Sequence, residues 1–107
     1  MALLSVTGCH SAFVDATIEN QSSSALNLVE VDYPSASFGL QTLAPGATYH
    51  YRFKIQGSGN VKLTFTDKQG KAHTSSGPQL ENGQEGALRI TVDRDAAAHF
   101  DFTARGR

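Results

Sequence analysis

Apolar side chains fall on every second residue along most of this chain, and that parity restricts what it can fold into. Tyr49, Tyr51, Phe53 and Ile55 alternate with His50, Arg52 and Lys54; Val61, Leu63 and Phe65 alternate with Lys62, Thr64 and Thr66. Leu88, Ile90 and Val92 alternate with Arg89, Thr91 and Asp93, Val14, Ala16 and Ile18 with Asp15, Thr17 and Glu19, and Phe100 and Phe102 flank Asp101. Successive side chains of a strand point to opposite faces, so a period of two means one buried face and one wet one. No segment repeats apolar residues at i, i+3, i+4 and i+7, which leaves room for no more than a turn of helix. Leu26 and Leu28 share one phase and Val29, Val31 and Tyr33 the other. This shift predicts a β-bulge, with a strand buried on both faces as the alternative.

Turn chemistry punctuates the alternation. Asn20–Ser24, Pro34-Ser35-Ala36-Ser37, Pro45-Gly46, Gly57-Ser58-Gly59-Asn60, Asp67-Lys68-Gln69-Gly70, Ser75-Ser76-Gly77-Pro78 and Asn82-Gly83 separate the apolar runs. Turn signals about every 8–12 residues, without helical crossovers, predict a single all-β antiparallel sandwich, here of about seven strands. With 107 residues the chain is one domain, and its lone cysteine excludes an internal disulfide. No internal repeat is expected.

Two resemblances can be attached to particular residues. Ile18-Glu19-Asn20, Ser22-Ser23 and Leu26-Asn27-Leu28-Val29-Glu30-Val31 resemble the opening hairpin of small bacterial immunoglobulin-like domains. Leu43-Ala44-Pro45-Gly46 before Tyr49-His50-Tyr51-Arg52-Phe53 is similar to their L-x-P-G turn and following strand. The likeness spans about residues 13–65 and implies an immunoglobulin-like β-sandwich that binds or spaces other parts; the tryptophan and cysteine pair of antibody domains are absent. At the front, Val6-Thr7-Gly8-Cys9 resembles a bacterial lipobox, preceded by apolar Leu3 and Leu4. That resemblance implies residues 1–9 as the remnant of a lipoprotein signal peptide, lipidation of Cys9, and a β-sandwich domain over residues 10–107. A full signal has a basic start and about 7–15 apolar residues. Either Met1 lies inside a longer signal or the front of the signal has been trimmed away; if Cys9 is instead an incidental thiol, the protein is expected to be cytoplasmic.

Nine basic and ten acidic residues give a net charge of −1, which argues against a nucleic-acid footprint. No run approaches the ~20 apolar residues of a membrane-spanning helix, so attachment to a membrane would be through lipid alone. His10, His50, His73 and His99 lie too far apart for the usual zinc spacing, and the only methionine is Met1, so neither a metal nor another cofactor is expected. Gly57-Ser58-Gly59 lacks the spacing of a nucleophile elbow, and no phosphate-binding loop is present. No catalytic residue is expected.

Two strands pairing across Gly57–Asn60 would place His50, Arg52 and Lys54 beside Lys62, Thr64 and Thr66 on a mildly basic face. That face is either a binding surface or an ordinary solvated sheet. The tyrosines of the opposite face are expected in the core, Asn20-Gln21-Ser22 as turn formers rather than a glycosylation site, and Phe38 as a cap on the core. The functional expectation is a non-catalytic, lipid-anchored domain of the bacterial cell envelope, facing the periplasm or the surface. It would bind an unidentified envelope partner or serve as a structural module. The alternative is a small-ligand or metal-binding accessory protein using the loop histidines.

Overall fold

The computed structural model describes residues 12–105, which form eight strands and no helix. In chain order these are β1 (Val14–Asn20), β2 (Leu26–Tyr33), β3 (Ala36–Leu43), β4 (Thr48–Phe53), β5 (Gly59–Thr66), β6 (Ala72–Leu80), β7 (Gly86–Val92) and β8 (Ala98–Ala104). They make two sheets, ordered β4-β1-β7-β8 and β3-β2-β5-β6. β1 and β7 run parallel; every other pairing is antiparallel. The two-sheet sandwich is as expected, with eight strands in place of about seven.

The core is built from the alternating residues of the central strands. Val14 and Ile18 of β1 and Leu88, Ile90 and Val92 of β7 face Val31 of β2 and Val61, Leu63 and Phe65 of β5, all fully buried. Both open sides of the sandwich are closed by rings. On the β3/β4 side Tyr33 stacks on Phe53 with centroids 3.9 Å apart, and Phe38 stacks on Tyr51 at 4.3 Å. On the β6/β8 side the Phe100 ring lies against Gly77, where a Cβ would collide with it. Phe38 is buried in this closure, as expected of a core cap. Of the expected core aromatics, Phe53 is buried and Tyr49 half-buried, but Tyr51 is 39% exposed. β4 is an edge strand, so its ring has a partner on one flank and water on the other.

The bulge in β2 is present. Asn27 pairs with Thr66 and Glu30 with Thr64, so β2 spends one more residue than β5 over the same interval. Leu28 sits there with φ +50°. β3 follows without a register shift against β2, and its inward residues change parity too, from Phe38 and Leu40 to Leu43.

One end of the sandwich carries the start of β1, the end of β8 and the β2–β3, β4–β5 and β6–β7 connections. The far end carries four turns, at residues 21–25, 44–47, 67–71 and 93–97. Asn20, 1% exposed, ties the far end together. Its Nδ2 donates to the carbonyls of Ser24 (2.8 Å) and Leu43 (2.9 Å), and its Oδ1 accepts from the Ser22 backbone amide (3.0 Å) and hydroxyl (2.6 Å). These bonds explain Asn20 and Ser22 as turn formers, and burial removes Asn20 as a glycosylation acceptor. In the adjoining turn the Ala47 amide donates to the Ala44 carbonyl, with Pro45 second and Gly46 third at φ +79°. Pro at the second position and a left-handed Gly at the third define a type II turn.

Candidate functional site

The basic face expected across Gly57–Asn60 does not form. β4 pairs with β1 and β5 with β2 and β6, so His50, Arg52 and Lys54 belong to one layer and Lys62 and Thr64 to the other. The connection after Phe53 crosses between sheets instead of folding back as a hairpin. Alternation reports which residues face the core; it carries no information on which strands are neighbours.

On the β4 side, Arg52 Nε donates to Asp15 Oδ1 at 2.9 Å, and Arg52 and Lys54 both lie over the Phe13 ring, at 5.3 and 5.4 Å from its centroid. His50 Nδ1 is 3.2 Å from Thr17 Oγ1. One row along the strands, Arg89 donates to Glu19 at 2.6 Å. Cross-strand pairs of opposite charge are the ordinary stabilisation of a solvated sheet face. On the other layer Lys62 stands opposite Asp32, and the Thr64 hydroxyl lies 3.5 Å from that of Thr74. Cys9 and His10 lie outside the described residues.

The remaining histidines belong to a device that occurs twice. In the β5–β6 turn, Asp67 Oδ1 accepts from the amides of Gln69 and Lys71, and Asp67 Oδ2 lies 2.8 Å from His73 Nε2. In the β7–β8 turn, Asp93 Oδ1 accepts from the amides of Asp95 and Ala97, and Asp93 Oδ2 lies 2.7 Å from His99 Nε2. The backbone bonds match as well: Gly70 to Asp67 and Asp67 to Lys71 in one, Ala96 to Asp93 and Asp93 to Ala97 in the other. Gly70 and Ala96 both adopt positive φ, +82° and +63°. The bond to His73, reinforced by the Lys71 amide, lowers the Asp67 carboxyl to about 2, and the same contacts from His99 and Ala97 lower that of Asp93. His73 also stacks on Phe65, 4.9 Å between centroids. These two histidines sit on β6 and β8, not in loops, and each is occupied in fixing a turn. Among the described residues no three potential metal ligands converge. The D-x5-H spacing repeats in the sequence at Asp67/His73 and Asp93/His99 and is the signal from which the device could have been found.

The surface that sequence reading missed lies on the outer face of β2 and β3. Leu28, in the left-handed region, is 62% exposed. A positive φ is unusual for a bulky side chain, and bulges re-aim side chains at functional surfaces. Leu28, Glu30, Ser37, Gly39 and Gln41 line a shallow groove of about 470 Å³. At Gly39 the β3 backbone comes too close to the Val29 carbonyl for any Cβ. Glu30 and Asp32 share this face; hydrogen bonding to Asp32, and then its charge, hold the Glu30 carboxyl above its ordinary value, with Lys62 acting in the opposite sense. The signal for this surface is the same phase shift that predicts the bulge.

No family model matches the chain, and no curated protein matches it. Among solved structures it is similar to an NMR structure of a protein from Eubacterium rectale, with a TM-score of 0.61 and 14% identity over 89% of this chain and 91% of that one. At that identity the likeness is one of fold.

Proposed function

We propose that this protein is a non-catalytic binding module of the bacterial cell envelope, held to a membrane by lipid on Cys9. The observation that carries the reading is the polarity of the sandwich. Residues 10–13 alone lie between Cys9 and the first strand, and Val14 opens β1 at the end opposite the four tied turns. An anchor at Cys9 therefore leaves both sheet faces and the far end free to meet a partner. The polar groups of the far end support a structural role for that end: Asn20, Asp67 and Asp93 are each fully engaged in shaping turns. The Leu28 surface on β2 and β3 supplies the binding capacity. Lipid anchoring is tested by expressing the gene with its natural upstream sequence in a bacterial host and measuring the intact mass of the membrane-bound product. The expected result is a chain beginning at Cys9 with added acyl mass, and release of the Cys9→Ser variant into the soluble fraction. An unmodified thiol on a chain that retains Met1 overturns the anchor.

A further inference from the structure

We infer that β3 is a docking edge that takes up an extended segment of a partner protein as a ninth strand, with a basic side chain of that segment lying across Gly39 towards Glu30. The inference rests on the reading of this protein as a binding module, but not on its lipid anchor.

Three observations meet at this place. The first is the edge. An unpaired strand edge templates association, and proteins blunt such edges with charge, proline or bulges. β4 carries Arg52, β8 carries Asp101, and β6 carries Pro78 with a register shift against β5. β3, eight residues long, has neither a charged residue nor a proline and pairs only with β2 among the described residues. The second is Gly39. With no side chain there, and none tolerated, the outer face of β3 is open between Ser37 and Gln41, and Glu30 lies directly opposite on β2. Strands lie about 4.8 Å apart, so a Lys or Arg on an added strand beside Gly39 spans the gap to the Glu30 carboxylate. The third is the outer face of β2, where Leu28 offers apolar surface and Glu30 and Asp32 offer negative charge that Lys62 offsets only in part.

These features also select the occupant. A second copy pairing β3 to β3 brings the Glu30 and Asp32 carboxylates of both molecules onto one face and supplies no cation to meet them. An extended basic segment supplies main-chain bonds to the edge and a cation to Glu30, the division of labour in strand-addition recognition.

The test uses the full 107-residue chain, isotopically labelled and kept reduced. It is titrated with two synthetic heptapeptides of alternating threonine and valine that differ only in a central lysine or glutamate. The expected result is saturable amide shifts confined to residues 28–31 and 36–43, and binding of the lysine peptide about fivefold tighter than the glutamate peptide, the scale of exposed charge pairs. Glu30→Lys, at an exposed position, should reverse the preference, and Leu28→Ser should weaken both peptides. Absence of binding, equal affinity for the two peptides, shifts centred elsewhere, or a concentration-dependent dimer through β3 in sedimentation would each overturn the proposal. None of these outcomes bears on the acylation of Cys9, so the two readings fail separately.

Discussion

Asp67 shows how one side chain sets a turn, a strand end and a pH dependence together. One carboxylate oxygen accepts from two amides of its own turn while the other meets His73 across the hairpin. Because the folded carboxyl titrates near 2, below its ordinary 3.8, the group stabilises the fold in full above the ordinary value, and that contribution is lost as pH falls from about 4 to about 2. Asp67→Asn keeps an oxygen for the two amides and loses the charge opposite His73. The variant is expected to be less stable than the parent at about pH 5, with the difference closing by about pH 2, as read by urea denaturation at both. A difference that stays constant across that range would remove the carboxylate from the account. Glu30 titrates in the opposite sense: its carboxyl is held high, so its charge opposes folding at neutral pH and the penalty fades as the group protonates.

The β5–β6 and β7–β8 hairpins are one design written twice, and the difference that matters for the backbone is at the left-handed position. Gly70 occupies it in one and Ala96 in the other. An alanine in this region is disfavoured by about 1–2 kcal/mol, and glycine loses about 0.5–1 kcal/mol in backbone entropy. Ala96→Gly is therefore expected to stabilise the protein by about 0.5–1 kcal/mol, a rise of about 4 °C in Tm by calorimetry. Gly70→Ala should shift it as far in the other direction. The hairpin at Asp67–Gly70 was legible from its turn residues, whereas Ile18–Val31, likened to an opening hairpin, crosses from one sheet to the other because β1 and β2 do not pair. β3 and β6 were not legible, since Ser37 and Ser75-Ser76-Gly77-Pro78 read as breakers, whereas the structure places them inside edge strands. Edge strands tolerate both glycine and proline because one flank of the ladder has no partner to lose.

The whole molecule depends on closing two open sides with few large side chains. Phe38 touches Tyr33, Tyr51 and Phe53, joining the edge of one sheet to the edge of the other. Phe38→Ala is expected to cost about 3 kcal/mol, the lower range for a buried phenylalanine, because the site borders solvent and can partly collapse. Tyr51→Ala, at an exposed ring, should cost less, and the pair should couple by about 0.5–1.5 kcal/mol in a double-mutant cycle. Additive losses would mean that the stacked geometry contributes nothing beyond area. Phe38 also underlies the docking edge, so peptide binding and edge closure share a residue while Leu28 and Glu30 report on binding alone.

Parity of apolar residues determined by itself that the chain is all β and which face of each central strand is buried, because these follow from the two-residue repeat of any strand; it marked the phase shift in β2, which the register against β5 then decided as a bulge. Turn residues determined most of the boundaries, through backbone angles that only certain side chains favour. Neighbourhood was decided by the tertiary structure alone. That β4 joins β1 instead of β5, separating His50, Arg52 and Lys54 from Lys62 and Thr64, depends on how two sheets share one core. The meeting of Leu28, Glu30 and Gly39 on one face depends on strand pairing in the same way, since proximity across a sheet is set by long-range register and leaves no local periodic signature.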